Sequence, residues 1–289
     1  MKIAYTAMWS NFNLEDNWFN EMFKDYFHDD SIEFGADLTG ADIVFSSVFG
    51  PQPIIGNGAR RIFWTGESRK NGYTPDQILL GFDKTDIGGM KFRLPLWYVF
   101  INWWPDKFYP PHDVGGPTHI VDIDYMSRER EVYEVSDILN RPGFCSMVVS
   151  NGTPHRVEAF ERLMEIGPVE GWGNMFGHMY PGSKIDLLGR TRFNACFENT
   201  ISPGYVTEKL FEAGLAGCIP IYWGDDTARD DFNPAAFIHH RGTMDELIDE
   251  VRKVNGSNQA MIEMASHPFF LRRPSLEPLY SFFDSVKLK

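Results

Sequence analysis

The sequence predicts an α/β protein with parallel sheets in two domains, and three observations lead to this. Residues 193–225 contain two short apolar runs with a helical pattern between them. The first third of the chain contains further short apolar runs of the strand type. The chain has 289 residues, which favours two domains over one, and 43% of its residues are hydrophobic, enough to bury substantial cores.

The segment 193–225 predicts a strand, a helix and a second strand. Residues 193–197 and 218–223 are apolar and end abruptly at polar or glycine positions, as strands covered on both faces do. Between them, Pro203 and Gly204 mark a loop, Thr207 is a favourable residue to precede a helix, and Gly217 ends the helical pattern. This is a βαβ unit with a parallel strand pair.

The polar residues of this unit cluster where open α/β sheets bind ligands, at the carboxyl end of the first strand. Lys209 lies in the first turn of the following helix, where unpaired N–H groups and the helix dipole attract anions. The pattern fits a phosphate site. An ordinary solvated pair of Glu208 and Lys209 on a helix surface is the alternative, and spacing alone leaves both open.

Residues 197–224, FENTISPGYVTEKLFEAGLAGCIPIYWG, resemble the donor-binding signature of the family-ten α1,3-fucosyltransferases. The resemblance implies an inverting enzyme that uses GDP-fucose and has the GT-B fold, with two facing Rossmann-like domains. It also implies which residues contact the donor. Asn199 and Tyr205 would contact guanosine or ribose, Glu208 would bind ribose or fucose hydroxyls, and Lys209 would bind the diphosphate. Residues 201–203 depart from the commoner Gln-Gly-Tyr type of segment, so guanine contacts are not carried over there.

Two further residues, one inside the signature and one before it, are candidates for the site. Glu198 ends the first strand and could stabilise positive charge at the anomeric carbon, or it could simply cap the strand end. Lys184 precedes the signature in a segment that resembles the family, and it could reach a phosphate or be an ordinary surface lysine.

A second cation is predicted at the start of another helix. Residues 144–150 form a continuous apolar strand, a turn follows, and residues 154–166 have helical character with Arg156 in the first turn. The resemblance implies that Arg156 contacts the donor diphosphate, where it would converge with Lys209. The alternative is an exposed arginine paired with Glu158 or Glu161.

The first third of the chain predicts a second α/β domain. Residues 2–6, 41–47 and 60–67 are the predicted strands, residues 79–83 and 91–96 supply a further strand and a loop, and residues 9–27 have helical spacing. Glu67 ends the third strand in the segment Trp-Thr-Gly-Glu-Ser, which is similar to a Tyr-Thr-Gly-Glu-Asn segment of the family. The resemblance implies that Glu67 is the general base, with a structural turn cap as the alternative.

The middle of the chain, residues 105–136, is irregular and is the predicted place of the acceptor loops and the domain connection. Asp122 and Asp124 match a DxD metal motif, but such motifs occur by chance and a solvated loop is favoured. Residues 171–177 resemble a dinucleotide fingerprint with the wrong spacing and without a following apolar helix, which disfavours NAD binding.

The predicted domains are residues 1–140 for the acceptor, residues 141–265 for GDP-fucose, and a tail at 266–289 that packs back on the first domain. Residues 236–238 are a predicted short strand, residues 244–251 have helix spacing, and residues 261–283 supply closing helices. Family members with heptad repeats and a basic tail use them for dimerisation and membrane contact. This sequence shows neither, which predicts a monomer or weak homodimer.

The net charge and the cysteines indicate the expected partners and cellular environment of the protein. The formal net charge of −13 argues against a nucleic-acid-binding surface and gives no attraction to anionic lipid. The three cysteines lie in apolar runs and are predicted to be reduced core residues. With no signal peptide or spanning segment, a cytoplasmic location is expected, and peripheral contact with a membrane is left open.

These observations predict transfer of fucose from GDP-fucose to O3 of a GlcNAc- or Glc-containing acceptor oligosaccharide. No metal is predicted to be required, because Arg156 and Lys209 would offset the diphosphate charge, and a divalent cation would stimulate at most. The alternatives are a transferase for another nucleotide sugar, a non-catalytic nucleotide-sugar or glycan-binding module, and a metal-dependent enzyme of the other major glycosyltransferase fold.

Overall fold

A computed structural model of the chain describes residues 1–53, 58–83, 90–105 and 118–289. The chain forms two compact units, one made of Met1–Val121, Pro203–Tyr205 and Ser275–Lys289, and the other made of Asp122–Ser202 and Val206–Pro274. Each unit contains one sheet in which all strand pairs are parallel. The predicted α/β class with two parallel-sheet domains is confirmed.

The sheet of the first unit has six strands in the order β2-β1-β3-β4-β5-β6. The strands are β1 (Lys2–Thr6), β2 (Glu33–Gly35), β3 (Ile43–Ser46), β4 (Arg60–Trp64), β5 (Ile78–Gly81) and β6 (Lys91–Arg93). Strands β3 and β5 are buried along their whole length, which explains their continuous apolar runs. The sequence did not predict β2, a strand of three residues that is partly exposed at the sheet edge.

Helix α1 (Trp18–Phe27) follows β1, and the short helix α2 (Leu96–Val99) follows β6. The helical pattern predicted from residue 9 begins only at Trp18, because the Asn17 side chain accepts a hydrogen bond from the N–H of Asn20 at 3.0 Å and starts the helix there. Phe19 is fully buried and packs its ring 4.6 Å from that of Phe45 on β3. The aromatic side of α1 is therefore part of the core of the first unit.

The sheet of the second unit has five strands in the order β11-β10-β9-β7-β8. The strands are β7 (Gly143–Val148), β8 (Val169–Trp172), β9 (Thr191–Phe197), β10 (Ile219–Trp223) and β11 (Ile238–His239). The chain goes from β7 outward to β8 and then returns to place β9 on the other side of β7. The ends of β7 and β9 are consequently a topological switch point, the place where open α/β sheets bind ligands.

Eight helices of the second unit surround this sheet. They are α3 (Ile123–Met126), α4 (Val132–Val135), α5 (Pro154–Leu163), α6 (Lys184–Gly189), α7 (Glu208–Leu215), α8 (Ala228–Asp231), α9 (Met244–Asn255) and α10 (Asn258–Ser266), counted over the described residues. Leu247, Ile248 and Val251 of α9 are buried in the same apolar cluster as the sheet residues Phe193 and Ile221. The predicted strand at 236–238 is displaced, because Pro234–Ala236 form a 3-10 turn that precedes β11.

The predicted βαβ unit is confirmed as β9, α7 and β10. The two strands pair in parallel register from Phe193 opposite Ile219 to Phe197 opposite Trp223. Cys196 and Cys218 in this unit, and Cys145 on β7, are free and buried, which confirms their prediction as reduced core residues.

The last helix, α11 (Glu277–Ser285), belongs to the first unit and packs on α1. Tyr280 donates a hydrogen bond to Asp25 at 2.7 Å, and Tyr26 donates one to Asp284 at 2.8 Å. Two reciprocal tyrosine–aspartate contacts thus fix the end of the chain to the first helix.

The segment predicted as irregular is described only in part, and residues 106–117 of the predicted acceptor loops lie outside the described residues. Asp122 accepts a hydrogen bond from the N–H of Tyr125 at 2.9 Å and caps α3. Asp124 forms an ion pair with Arg273 at 2.8 Å. The DxD residues therefore serve a short capped helix, in place of the predicted solvated loop. No helix among the described residues is long and apolar enough to cross a membrane.

Candidate active site

Arg156 lies at the topological switch point of the second unit. It is in the first turn of α5, which begins at Pro154, a residue whose fixed φ favours the first position of a helix. Only 1% of its surface is exposed, and its guanidinium donates to the carbonyl of Phe197 at 2.5 Å and to that of Asn151 at 2.9 Å. The interpretation as an exposed arginine paired on a helix surface is wrong, because the side chain extends across the ends of β7 and β9.

Lys209 reaches the end of the same strand from the start of α7. Its ammonium group lies 3.4 Å from the carboxylate of Glu198, 3.2 Å from that of Glu208 and 3.0 Å from the hydroxyl of Thr207. Because Glu198 follows Phe197 directly, the two cations Arg156 and Lys209 are attached to consecutive residues. A simple solvated pair of Glu208 and Lys209 is therefore wrong, since Lys209 also contacts the fully buried Glu198.

Glu198 holds the beginning of α7 in place. Its side chain has no exposed surface, and its two carboxylate oxygens accept hydrogen bonds from the N–H and the hydroxyl of Thr207, each at 2.7 Å. Thr207 occupies the predicted position before the helix, but its hydroxyl bonds to Glu198 and makes no capping bond to α7. Among the described residues, this carboxylate contacts Thr207 and Lys209, both at the start of α7.

Charges of opposite sign are balanced around this helix start. Burial acts to raise the pKa of Glu208, but Lys209 and Lys184 outweigh it and lower that pKa to about 2. Lys184, at the start of α6, forms an ion pair with the buried Glu212. Burial acts to lower the pKa of Lys184, and Glu212 and Glu208 raise it above its ordinary value. Glu208 and Lys184 are thus held ionised at neutral pH.

The candidate general base lies at the carboxyl end of β4 in the first unit. Glu67 is half-buried, and the turn around it is held by Thr65, whose hydroxyl accepts a hydrogen bond from the N–H of Glu67 at 3.1 Å and donates to the carbonyl of Arg69 at 3.0 Å. Within the described residues, the Glu67 carboxylate makes no hydrogen bond or ion pair. Its interpretation as a turn cap is wrong, because Thr65 has that role.

Gly66, immediately before Glu67, is closely packed. A Cβ at Gly66 would lie 2.7 Å from Cδ1 of Leu96 and 3.1 Å from the Trp64 ring. A larger residue at this position would therefore need the Leu96 side chain to shift.

Residues 139–265 match the profile of glycosyltransferase family 10 (fucosyltransferase) C-term, and residues 3–100 match that of the alpha-(1,3)-fucosyltransferase FucT N-terminal domain. The two matches follow each other along the chain and together include Glu67, Arg156 and Lys209. Two consecutive parts of the chain are thus similar to glycosyltransferase family 10.

The relatives agree with this family. The chain is 30% identical over 277 residues to the alpha-(1,3)-fucosyltransferase FucT of Helicobacter pylori, a match that covers 85% of this chain and 57% of that protein. It is also 30% identical over 132 residues to the bovine 4-galactosyl-N-acetylglucosaminide 3-alpha-L-fucosyltransferase 9. That match covers 43% of this chain and 37% of the bovine protein. The chain therefore spans little more than half the length of the first of these relatives, and less of the second.

Solved structures show the same fold. A crystal structure of an alpha1,3-fucosyltransferase with GDP-fucose matches with a TM-score of 0.73 and 26% identity, over 100% of this chain and 90% of that one. Anabaena Alr3699/HepE in complex with UDP-glucose matches with a TM-score of 0.51 and 10% identity, over 100% of this chain and 97% of that one, which shows the fold alone. The two parallel-sheet domains of this chain are those of the GT-B fold.

Two predicted donor contacts of the family-10 signature lie in different surroundings. Asn199 is exposed in the loop after β9. Tyr205 is 3% exposed and belongs to the first unit, where its ring lies 5.3 Å from that of Phe82. In the described part of the chain, no group of three or more His, Cys, Asp or Glu side chains could hold a metal ion.

Sequence reasoning missed an aromatic group beside the switch point. His155 precedes Arg156, and its ring lies 4.3 Å from that of Trp223 and 5.3 Å from that of His240, almost parallel to the latter. His155 and His240 are 85 positions apart in the chain, so no local sequence pattern predicts that their rings lie together. Both residues follow the ends of strands of one sheet, β7 and β11, and this was the feature of the sequence that could have indicated their proximity.

Proposed function

We propose that this chain is an α1,3-fucosyltransferase that moves fucose from GDP-fucose to O3 of a GlcNAc- or Glc-containing acceptor glycan, with inversion at the anomeric carbon. The observation that carries the proposal is the attachment of Arg156 and Lys209 to consecutive residues at the end of β9. Two cations at helix starts on one switch point suit a nucleoside diphosphate. The similarity to a fucosyltransferase crystallised with GDP-fucose supports this choice of donor.

Arg156 and Lys209 bind the diphosphate in this proposal. Lys209 is held by carboxylates, so the incoming phosphate oxygens take over part of its coordination. Arg156 is already fixed by two carbonyls, and a fixed guanidinium loses little conformational entropy when it binds an anion. Lys184 lies close enough to Glu208 to affect its pKa and adds a third positive charge to the surroundings. Asn199, Tyr205 and Glu208 supply contacts to guanosine, ribose or fucose hydroxyls.

Glu67 acts as the general base. It takes the proton from the acceptor O3 hydroxyl while O3 forms a bond to C1 of fucose. The bond between C1 and the β-phosphate oxygen breaks in the same step, and GDP leaves with the electron pair. Arg156 and Lys209 stabilise the charge that develops on GDP, so a divalent cation is not required and stimulates at most. Glu198, predicted near the anomeric centre, contributes through its hold on Lys209 and on the start of α7.

An assay with a panel of GDP- and UDP-sugars, followed by linkage analysis, tests the proposed function. We expect product from GDP-fucose with a linkage to O3, and Glu67→Gln should lower the transfer rate by about 100-fold or more, as the loss of a general base does. Its affinity for GDP should stay unchanged. Glu33→Gln is the matched control, because Glu33 is an exposed carboxylate on the edge strand of the same sheet.

Three outcomes would contradict the proposal. Transfer from a UDP-sugar in place of GDP-fucose would show another donor. Full activity of Glu67→Gln would remove Glu67 as the base. Tight GDP binding with no transfer to any acceptor would show a binding module on a glycosyltransferase fold.

A further inference from the structure

The second unit contains a cavity of about 300 Å³ that the proposed donor contacts do not use. It lies at the carboxyl ends of β10 and β11, and its polar lining consists of Asp225, Asp226, His240 and Arg241, with Trp223 beside them. Trp223 ends β10, Asp225 and Asp226 lie in the loop after it, and His240 and Arg241 follow β11. The cavity therefore opens at the same edge of the sheet as the Arg156 and Lys209 site.

The charge of this cavity does not suit a phosphate. Asp226 and Arg241 form an ion pair at 2.5 Å, and the carboxylate of Asp225 accepts a hydrogen bond from the N–H of Thr227 at 3.0 Å. Two carboxylates and one guanidinium give the lining a formal charge of −1, as −2 + 1 gives. A phosphate would be repelled, whereas a neutral ligand with hydroxyl groups would find both acceptors and donors.

His240 supplies a polar ring in the wall of the cavity. Its surface is 5% exposed, and within the described residues its imidazole makes no hydrogen bond or ion pair. Burial lowers the pKa of His240, and His155 lowers it further by a smaller amount. The ring is therefore neutral and carries one donor and one acceptor. Because the ring lines the cavity, its nitrogens can pair there with a ligand hydroxyl.

Trp223 offers the cavity an aromatic wall. It is half-buried, and the His155 ring behind it, at 4.3 Å between ring centroids, fixes its orientation. A rigid aromatic ring loses little entropy when it packs against the C–H face of a ligand ring. A few polar groups around an aromatic surface are typical of small-molecule sites.

We propose that this cavity binds a neutral pyranose ring, with the ring packed on Trp223, neighbouring hydroxyls bound by Asp226 and Arg241, and a further hydroxyl bound by His240. A carboxylate accepts and a guanidinium donates, so the pair satisfies two adjacent hydroxyls in complementary directions. The assignment rests on the proposed function, which supplies two sources of such a ring. One is the fucosyl group of the donor, and the other is a sugar of the acceptor.

The variants for the test are Arg241→Met and His240→Phe in the full chain. Arg241 is half-exposed, so its replacement removes the guanidinium from the cavity wall with little effect on folding. His240→Phe keeps a flat ring against His155 and removes both polar atoms. Arg229→Met is the matched control, because Arg229 is an exposed arginine of α8 outside the cavity lining.

Calorimetry with GDP and with GDP-fucose, and the KM for a GlcNAc-containing disaccharide, give the readouts. If the cavity holds the fucosyl group, both variants should weaken GDP-fucose binding by about tenfold and leave GDP binding within twofold. If it holds an acceptor sugar, the KM for the disaccharide should rise about tenfold with both nucleotide affinities unchanged. Either result supports the assignment, and the control should change none of the three.

The assignment would be overturned if all three quantities stayed within twofold, or if GDP and GDP-fucose lost the same affinity, since the cavity would then hold part of the nucleotide. Failure of the proposed function would show separately. The unmodified protein would then transfer no fucose, whereas transfer that both variants leave intact overturns only the cavity assignment.

Discussion

Replacement of Glu198 with Gln tests whether this carboxylate positions α7. The change removes one negative charge and one acceptor oxygen from a site with no exposed surface. The N–H of Thr207 now lies 2.7 Å from a carboxylate oxygen of Glu198. In the variant this N–H either loses its charged acceptor or competes with the Thr207 hydroxyl for the single carbonyl oxygen of the glutamine. Lys209 loses the carboxylate of Glu198 and keeps that of Glu208.

The magnitude follows from these contacts. Breaking a buried ion pair by removing one partner costs about 3–5 kcal/mol. Lys209 is 19% exposed and keeps a second carboxylate, so we expect the lower end, about 3 kcal/mol. In a domain of 150–250 residues this lowers the melting temperature by roughly 6–12 °C, since each kcal/mol shifts it by about 2–4 °C.

Thermal unfolding followed by calorimetry measures the effect, and Glu263→Gln is the control. Glu263 is an exposed carboxylate of α10, so its replacement should change the free energy of unfolding by less than about 0.5 kcal/mol. An equally small change for Glu198→Gln together with a large loss of kcat would refute the reasoning. Glu198 would then act in the chemical step and not through the helix.

Three further predictions concern other parts of the chain. Gly214→Ala should destabilise the second unit by about 1–3 kcal/mol in urea unfolding, because the new methyl group would overlap the buried ring of Phe269; unchanged stability would show that this ring can move. The pKa of Glu208 is lowered from 4.5 to about 2, so its contribution to stability is complete above pH 4.5 and is lost as the pH falls toward 2. Glu208→Gln should therefore flatten the measured dependence of stability on pH between these values. A dependence parallel to that of the unmodified protein would contradict this. Tyr280→Phe removes the 2.7 Å hydrogen bond to Asp25 and should cost about 1 kcal/mol in the unfolding of the first unit, with faster proteolysis before α11; equal proteolysis rates would contradict it.

The longer helices and the apolar strands of the second unit were predictable, because each has a local pattern in the sequence, whereas β8 and the short helices α3, α4 and α8 were not predicted. Strand β9 is a continuous apolar run, and α7 has a threonine before it and Gly217 after it with a positive φ of 68°. Helix α6 was not predicted, since six residues are too few to show helical periodicity. Residues 9–17 were assigned to α1 because their aromatic residues continue its pattern, although Asn17 starts the helix later.

The candidate site was predictable as a set of positions and not as a set of contacts. Strand ends and helix starts indicated Arg156 and Lys209, because those positions follow from local patterns. The pairing of Lys184 with Glu212 depends on the packing of α6 against α7, which no spacing reveals. His240 was missed for the same reason, since its importance comes from a cavity wall that only the folded chain forms.

The central claim, that Arg156 and Lys209 bind one diphosphate, is tested most directly by calorimetric titration of Arg156→Lys, Lys209→Gln and the double variant with GDP and with guanosine. Lysine at 156 keeps a donor for the Phe197 carbonyl, which alanine would leave unpaired. We predict that each single variant binds GDP at least about tenfold more weakly, a loss of about 1.4 kcal/mol, and binds guanosine as before, with a double-variant loss that differs from the sum. GDP binding that both variants leave unchanged, or an equal loss for guanosine, would contradict the account.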